Sequence, residues 1–455
     1  MTSAPENPQQ AIRRGRSLIE CGEFTRAIDL LSRVAAEEPD LLEAHGMLGN
    51  AYAMAAQWDR AIAAFRRTVE LNPTLASAHF GLGSALANQG RIAEAITSFG
   101  ASITLGYHKA HCNLGVALAK AGRYDAALAE LYSAISLNPG DATAHWNLSL
   151  LLLMDGKWRE GFAEYEWRLR SAEFSGRVRN VDRPRWNGQD LRGRTILVHD
   201  EQGYGDAILF ARYVPLLAQR GARVVLLCQK PLARLLRRVA GACLVFSDGE
   251  PAPNADLHVP IGSLPLALGA AARSQIAALP YLSADPQLVE AWSKKLPTKN
   301  GRMRVGIAWQ GNLKPDPARS IDACHLSPLL GLEGVQYFGV HKSSDARNVD
   351  GPPGIFDCSG ELSDFAATAA LMANLDLVIS IDTAAAHLAG AMGIETWTLL
   401  PHQADWRWLR QGQTTPWFAR MRLFRQPETG DWPGVIHRVA AALAEKLPAR
   451  HPERL

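Results

Sequence analysis

The chain has 455 residues, of which 47% are apolar and 20% charged, and a formal net charge of +3. This length predicts about three domains of the usual ~150 residues, with a composition typical of globular proteins. The small net charge argues against a nucleic-acid or anionic-membrane partner. The start, MTSAPENPQQ, lacks the features of a signal peptide, and the longest apolar run, Leu148 to Met154, is too short to cross a bilayer. We therefore expect a cytoplasmic protein with no membrane insertion.

Small residues recur along the first third of the chain in two series, most steps of which are 34 residues. The series are Gly15, Gly49, Gly83, Gly115 and Ser149, and Ala27, Ala61, Ala95, Ala127 and Gly161, while Pro39, Pro73 and Pro139 close three of the units. This pattern resembles tetratricopeptide repeats. The resemblance predicts about five two-helix units over residues 1–170, in which stacking supplies the core that one helical hairpin cannot form.

The third unit departs from this pattern, because its step is two residues short and Gly106-Tyr107 stands where a proline is expected. We expect the superhelix to be disturbed there. Repeats of this type usually bind protein segments in a concave groove. Asn113 and Asn147 occupy the position that forms a peptide-gripping ladder in O-linked N-acetylglucosamine transferases. The equivalent positions in the second and third repeats are Met47 and Gly81, so the ladder is at best partial. Local hydrogen bonding is an equally good explanation for the two asparagines.

A connector over residues 171–194 leads to an α/β domain predicted over residues 195–290. The strand Thr195 to His199, the loop DEQGYGDA, a helix and the strand Arg223 to Cys228 form a βαβ unit. In the loop, Gly203 and Gly205 let a ligand approach the backbone. Asp206 is either the helix N-cap or a general base that faces a cleft. The rival bases in this domain are His199, Glu201 and His258.

A second α/β domain is predicted over residues 291–455, and it contains the run LDLVISIDTAAAHLAGAMGIETWTLL. The buried strand Leu377 to Ile381 is followed by Asp382 as the expected helix N-cap, a short helix that stops at Gly393, and the strand Ile394 to Leu400. The amino end of such a helix lies at the carboxyl edge of a parallel sheet, where backbone N–H groups attract anions.

Thr383 and His387 lie one turn apart on the same face of this helix, with small residues between them. We interpret them as part of a diphosphate cradle, although His387 can also be a core histidine and Asp382 a cap alone. Lys314 and Arg319 are candidate basic partners, with Arg319 preferred because it is nearer the next helix. Lys342 could reach a phosphate or stay solvated.

The run PHQADWRWLR follows the last of these strands. Packing is the simpler role for Trp406 and Trp408, while Asp405 or Arg407 could line the mouth of the cleft. The final strand and helix of the chain are expected to cross back to the first α/β domain.

Two motifs narrow the class of protein. SIDTAAAHLAGAMG is similar to the DTG-x-x-H-L-A-x-A-L-G signature of the ADP-heptose:lipopolysaccharide heptosyltransferase family, and GYGDAILFARYVP resembles that family's first loop. This resemblance implies a GT-B fold of two Rossmann-like domains, an acceptor-side domain at 195–290 and a nucleotide-sugar-binding domain at 291–455 with a C-terminal helix. Together with the repeats, the chain resembles bacterial repeat-containing glycosyltransferases. It departs from the heptosyltransferase signature at Ala384, where glycine is usual.

Carried over residue by residue, the resemblance makes Asp206 the catalytic base and Asp382, Thr383 and His387 donor-binding residues. It implies an inverting, metal-independent transfer from a nucleotide sugar to an acceptor hydroxyl, with no other cofactor, and the repeats would recruit a protein acceptor. The alternatives are a non-catalytic adaptor with a degenerate α/β module, or a transferase acting on a glycan or a lipid-linked acceptor. The sequence identifies neither the sugar nor the nucleotide.

Overall fold

The computed structural model describes residues 7–171, 179, 181–251, 254–269, 272, 280–311, 317–341 and 352–447. The chain divides into two compact units, Met1–Leu151 and Leu152–Leu455. Antiparallel helix pairs make up the first unit, and the second contains two sheets of mainly parallel strands. The predicted order, a helical repeat array followed by an α/β region, is confirmed.

Nine helices begin in the described part of the first unit. They are α1 (Pro8–Glu20), α2 (Phe24–Glu37), α3 (Leu42–Met54), α4 (Trp58–Leu71), α5 (Ala76–Asn88), α6 (Ile92–Thr104), α7 (Ala110–Lys120), α8 (Tyr124–Leu137) and α9 (Ala142–Met154). The next helix, α10 (Trp158–Tyr165), belongs to the second compact unit. The compact division therefore falls inside the fifth helix pair.

Glycines let the two helices of a repeat pack closely. In four repeats, a Cβ added to the glycine of the first helix would lie 2.7 or 2.8 Å from a large apolar side chain of the second helix. These pairs are Gly15 and Leu31, Gly49 and Phe65, Gly83 and Phe99, and Gly115 and Leu131. The matching alanines, Ala27, Ala61, Ala95 and Ala127, are fully buried. The two sequence series therefore mark the helix crossings.

Histidines that recur at one repeat position join the start of a repeat to the end of the one before it. In three repeats the ring Nε2 lies 2.9 to 3.1 Å from a proline carbonyl oxygen, in the pairs His45 and Pro39, His79 and Pro73, and His145 and Pro139. The irregular repeat has Gly106 at φ +91° instead, and His111 Nδ1 lies 2.6 Å from Glu130 Oε2. Its first helix, α7, has 11 residues against 13 in α5.

A glycine substitution tests whether this close packing stabilises the array. Gly81 faces the ring of Phe65, and an added Cβ would lie 2.5 Å from its Cε1, whereas nothing lies within 4 Å of an added Cβ at Gly100. We expect Gly81→Ala to lower the free energy of unfolding by about 1 to 2 kcal/mol, because overpacking outweighs the gain in helix propensity. The matched variant Gly100→Ala should raise it by up to about 1 kcal/mol. Urea unfolding followed by circular dichroism measures both, and equal shifts would contradict the packing role.

The first sheet of the second unit has the strand order β3-β2-β1-β4 and is parallel throughout its described strands. Its strands are β1 (Thr195–His199), β2 (Arg223–Cys228), β3 (Ala242–Ser247) and β4 (Leu257–Pro260). The described helices near it in the chain are α11 (Tyr204–Phe210), α12 (Val214–Gln219), α13 (Ala233–Leu236) and α14 (Leu264–Leu268). Strands β1 and β2 have the bounds that the sequence predicts.

The second sheet has the order β10-β11-β9-β8-β5-β6-β7, and only β10 is antiparallel among its described strands. The strands are β5 (Met303–Ala308), β6 (Val335–Gly339), β7 (Ile355–Phe356), β8 (Leu377–Ile381), β9 (Thr396–Leu400), β10 (Thr414–Thr415) and β11 (Phe418–Arg425). The helices are α15 (Pro286–Lys295), α16 (Ser327–Leu330), α17 (Phe365–Met372), α18 (Ala384–Ala391) and α19 (Trp432–Lys446).

The final helix packs on the second sheet. Val435, Ile436 and Val439 of α19 lie in one buried cluster with Val305 and Ile379 of the central strands. The expectation that the chain crosses back to the first α/β domain is therefore wrong, because the apolar face of α19 is buried against its own sheet.

In each sheet there is a central strand from which the connections run to opposite sides. In the first sheet β1 lies between β2 and β4, and in the second β5 lies between β6 and β8. Ligands of open α/β sheets usually bind beyond the carboxyl ends of strands at such a point. The loops that follow β1 and β8 are therefore in the expected positions for a site.

Candidate functional site

The loop after β1 places Asp206 in the first turn of α11. Gly203 is the N-cap, and Asp206 Oδ2 accepts a hydrogen bond of 3.2 Å from its backbone N–H. The expectation that Asp206 could be the N-cap is wrong in detail, because the helix begins at Tyr204 and Asp206 reaches back from the third helical position. One carboxylate oxygen thus serves the helix start, and the other faces away from it.

The loop after β8 differs from the sequence expectation in a similar way. Thr383, not Asp382, is the N-cap of α18, because the chain bends over both residues before the helix starts. The Thr383 hydroxyl lies 3.1 Å from that of Ser380. Asp382 is consequently not used as a cap. Its side chain is 16% exposed, and its Oδ1 lies 3.8 Å from Nε2 of His387.

Helices α11 and α18 approach each other at a glycine. A Cβ added to Gly205 would lie 2.9 Å from Cδ2 of His387, so a larger residue would push the ring aside. His387 is 4% exposed and lies between the rings of Trp408 and Phe418, at centroid distances of 5.3 and 5.8 Å. Its Nδ1 is buried and has no hydrogen-bond partner among the described residues. Gly205, the neighbour of Asp206, therefore lies against His387, which is distant in sequence.

Arg407 joins this group through Asp206. Its Nη2 donates to Asp206 Oδ1, and its Nη1 donates to Asp405 Oδ1 at 2.6 Å. The residue is 9% exposed, and its guanidinium carbon lies 4.5 Å from the ring centroid of Trp406. Burial alone would lower the pKa of this guanidinium, but the carboxylates of Asp206 and Asp405 raise it above its ordinary value. Sequence reasoning named Arg407 only as a possible lining residue, without its partner.

Burial and neighbouring charges alter two further groups at this site. Burial, together with the charge of Asp405, raises the pKa of Asp382 to about 6, although the side chains of Trp408, Arg407 and Arg319 act in the opposite direction. Burial and the cations Arg407 and Arg212 hold the pKa of His387 well below its ordinary value. His387 is therefore uncharged at neutral pH.

Of the three basic residues predicted to bind a diphosphate, the structure describes one. Arg319 lies in a short 3₁₀ turn, Pro317–Arg319, and its Nη1 donates to the backbone oxygen of Asp382 at 3.4 Å. The structure therefore brings Arg319 to the loop after β8. Lys314 and Lys342 lie outside the described residues.

The rival bases of the first sheet are held in structural contacts. His199 and His258 stack, with 3.0 Å between Nε2 of the first and Nδ1 of the second. Burial and the mutual repulsion of the rings lower the pKa of His199 to about 3, and burial lowers that of His258. Glu201 is buried, and Arg168 donates to its Oε1 from Nη2 at 2.7 Å.

Helix α10 and the 3₁₀ turn after it, Glu166–Arg170, support both loops of the site. Phe162 contacts the rings of Phe210 and Trp406, and the Tyr165 hydroxyl bonds to the amide of Gln202. Arg168 is fully buried. Sequence reasoning missed this role, although Phe162, Tyr165 and Arg168 recur at the three-residue spacing of one helix face.

The two candidate groove asparagines lie on first helices of their repeats. Asn147 Nδ2 donates to the Thr143 carbonyl at 2.8 Å, a bond within α9. Asn113 lies half-buried on α7. Their role in binding a partner stays a prediction.

Comparison with known proteins identifies the class of the repeats. Family models described as tetratricopeptide repeat match residues 18–74, 47–105 and 110–167. These segments are tetratricopeptide repeats, a class that indicates interaction with other proteins. Among the described helices, none combines the length and apolarity that crossing a membrane requires.

One curated relative extends beyond the repeats. Protein FlbA of Caulobacter vibrioides is 28% identical over 318 residues, which is 63% of this chain and 52% of FlbA. The chain thus spans about half the length of this relative. Among solved structures, MamA is 26% identical, with a TM-score of 0.33, over 36% of this chain and 97% of its own. YrrB, titled a tetratricopeptide-repeat protein with an unusual peptide-binding site, is 18% identical over 36% and 86%, with a TM-score of 0.32.

Removal of Arg168 tests whether α10 is anchored to the site loop. We expect Arg168→Ala to lower the free energy of unfolding by about 3 to 5 kcal/mol, because Glu201 would remain buried without its partner. Arg192→Ala is the matched control, since its ion pair with Asp190 is exposed, and it should leave the free energy of unfolding nearly unchanged. Urea unfolding of both variants measures the difference. A similar small effect for the two would show that the buried pair does not hold the loop.

The raised pKa of Asp382 predicts a specific pH dependence of stability. A carboxyl that binds its proton more tightly when folded stabilises the protein below about pH 4, and this contribution is lost as pH rises through about 6. The free energy of unfolding of Asp382→Asn, relative to that of the native protein, should therefore rise by about 2 kcal/mol between about pH 4 and about pH 7. Urea unfolding at a series of pH values measures the gain. A constant difference between the two proteins would contradict it.

Proposed function

We propose that the protein is a glycosyltransferase of GT-B type, which transfers a sugar from a nucleotide-sugar donor to an acceptor hydroxyl with inversion. The observation that carries this proposal is the meeting of two loops: Asp206, after the first sheet's β1, pairs with Arg407, after the second sheet's β9, and Gly205 lies against His387. Two mainly parallel sheets whose carboxyl-edge loops meet are the arrangement that the proposed reaction needs. The motif resemblance to the heptosyltransferases supports the same interpretation.

The chemistry of transfer requires a base and a site for the leaving diphosphate. In the proposal, Asp206 takes the proton of the acceptor hydroxyl while its oxygen attacks the anomeric carbon, and the bond from that carbon to the diphosphate breaks. The other candidate bases are less suitable, because His199 is paired with His258 and Glu201 with Arg168.

The departing diphosphate would be held by groups at the start of α18. These are its free backbone N–H groups, the Thr383 hydroxyl and the nearby guanidinium of Arg319. His387 is neutral and fixed between aromatic rings, so it can donate a hydrogen bond without adding charge. No metal ion is part of the proposed mechanism, so transfer should persist in the presence of EDTA.

The acceptor would be a protein that the repeats recruit. Tetratricopeptide repeats in the same chain as the α/β unit support this choice over a glycan or a lipid-linked acceptor. A cytoplasmic location is part of the proposal, as are the groove roles of Asn113 and Asn147. The sugar and the nucleotide are left open.

A donor screen tests the proposed activity. We expect one of a panel of UDP-, ADP-, GDP- and CMP-sugars to raise the thermal unfolding temperature of the purified chain, because a ligand that binds the native state stabilises it. The protein should hydrolyse the same donor slowly when no acceptor is present, and it should release the nucleotide faster when an acceptor is added. If no member of the panel stabilises the protein or is turned over, the glycosyltransferase is excluded and an adaptor remains.

Substitution of the base separates catalysis from binding. Asp206→Asn should lower kcat by about 10²- to 10⁴-fold, because the amide cannot accept the acceptor proton. Asp190→Asn is the control, since Asp190 is an exposed aspartate paired with Arg192, and it should leave kcat unchanged. Steady-state rates with the donor found above measure both. Unchanged turnover in Asp206→Asn would assign the base elsewhere.

A further inference from the structure

The carboxylate that the proposed reaction needs is engaged in this structure. Asp206 Oδ2 accepts from the backbone of Gly203, and Oδ1 accepts from Arg407. An acceptor hydroxyl must donate a hydrogen bond to one of these oxygens before it can transfer its proton. The Gly203 contact belongs to the start of α11, so Arg407 is the partner that can be exchanged.

The guanidinium of Arg407 can donate more hydrogen bonds than it does in this structure. Its Nη atoms serve Asp206 and Asp405, but its Nε is buried and has no hydrogen-bond partner among the described residues. The nearby Nδ1 of His387 is in the same condition. Buried polar atoms are normally satisfied, so these two are open to hydrogen bonds with a polar ligand.

The charges at the site also favour the binding of a polar ligand, and of an anion in particular. The site carries three carboxylates, of which Asp206 and Asp405 accept hydrogen bonds from Arg407. The third, Asp382, is influenced by the charges of both Arg407 and Arg319. A diphosphate that enters beside these carboxylates needs a cation directed at it. Arg407 donates to Asp206 and Asp405, and its charge also acts on Asp382 and His387.

We propose that Arg407 is an exchangeable cation, paired with Asp206 in the free protein and turned toward the diphosphate when a donor binds. The choice of a diphosphate as ligand rests on the proposed function. The exchange couples two events, because Asp206 becomes available to the acceptor only when the leaving group has a cation to receive it.

Inorganic pyrophosphate is the probe for this exchange, because it is a diphosphate that carries neither a sugar nor a nucleoside. Isothermal titration would compare the native chain, Asp206→Asn, Arg407→Gln and the double variant. Arg407→Gln should bind pyrophosphate about tenfold more weakly, because the diphosphate loses its cation. Asp206→Asn should bind it about tenfold more tightly, because the arginine is released from its carboxylate.

The double variant distinguishes exchange from general charge repulsion. In the Arg407→Gln background, Asp206→Asn should give no further gain, since there is no arginine to release. An equal gain in both backgrounds, weaker binding by Asp206→Asn, or no pyrophosphate binding by any of the proteins would overturn the proposal. Arg407→Lys, which keeps the charge, guards against misfolding of the glutamine variant and should bind with intermediate affinity.

The test is independent of sugar transfer. If the pyrophosphate cycle behaves as expected but no donor is turned over, the exchangeable cation stands and the glycosyltransferase fails. If a donor is turned over but Asp206→Asn does not tighten pyrophosphate binding, the glycosyltransferase stands and the exchange fails.

Discussion

A buried arginine held by two aspartates defines the geometry of the candidate site. Burying a guanidinium costs several kcal/mol unless carboxylates compensate it, so Arg407 requires both Asp206 and Asp405. Asp206 belongs to the loop after β1, and Arg407 follows β9 of the other sheet. The ion pair therefore ties the two sheets together where their site loops meet. The same cation lowers the pKa of His387 and opposes the rise that burial imposes on the pKa of Asp382.

Glycines that let a helix pack directly against an aromatic ring recur in both parts of the structure. Gly205 lets α11 reach the ring of His387, just as Gly49 lets one repeat helix reach the ring of Phe65. In both places a Cβ would fall under 3 Å from the aromatic ring. Dense packing of this kind allows little movement, so it fixes where the polar side chains beside it lie.

Helix α10 links the repeat sequence to the chemistry of the site. The family match to tetratricopeptide repeats extends to residue 167, yet α10 folds with the α/β unit. Its Phe162 contacts Trp406, the neighbour of Arg407, and its Tyr165 contacts the loop that leads to Asp206. A segment that is a repeat by sequence is thus a structural support of the site.

The sequence by itself determined the repeat array, the α/β region that follows it and several strand bounds, because these follow from local patterns of residues. Glycines at the repeat period predicted helix crossings, and the β-branched run Leu377–Ile381 predicted β8 with its correct ends. Capping was less predictable, since a shift of one residue moved the N-cap from Asp382 to Thr383. Only the tertiary structure decided which charges meet. The partners Asp206 and Arg407 are 201 residues apart in the chain, and no local pattern encodes a contact that long-range packing creates.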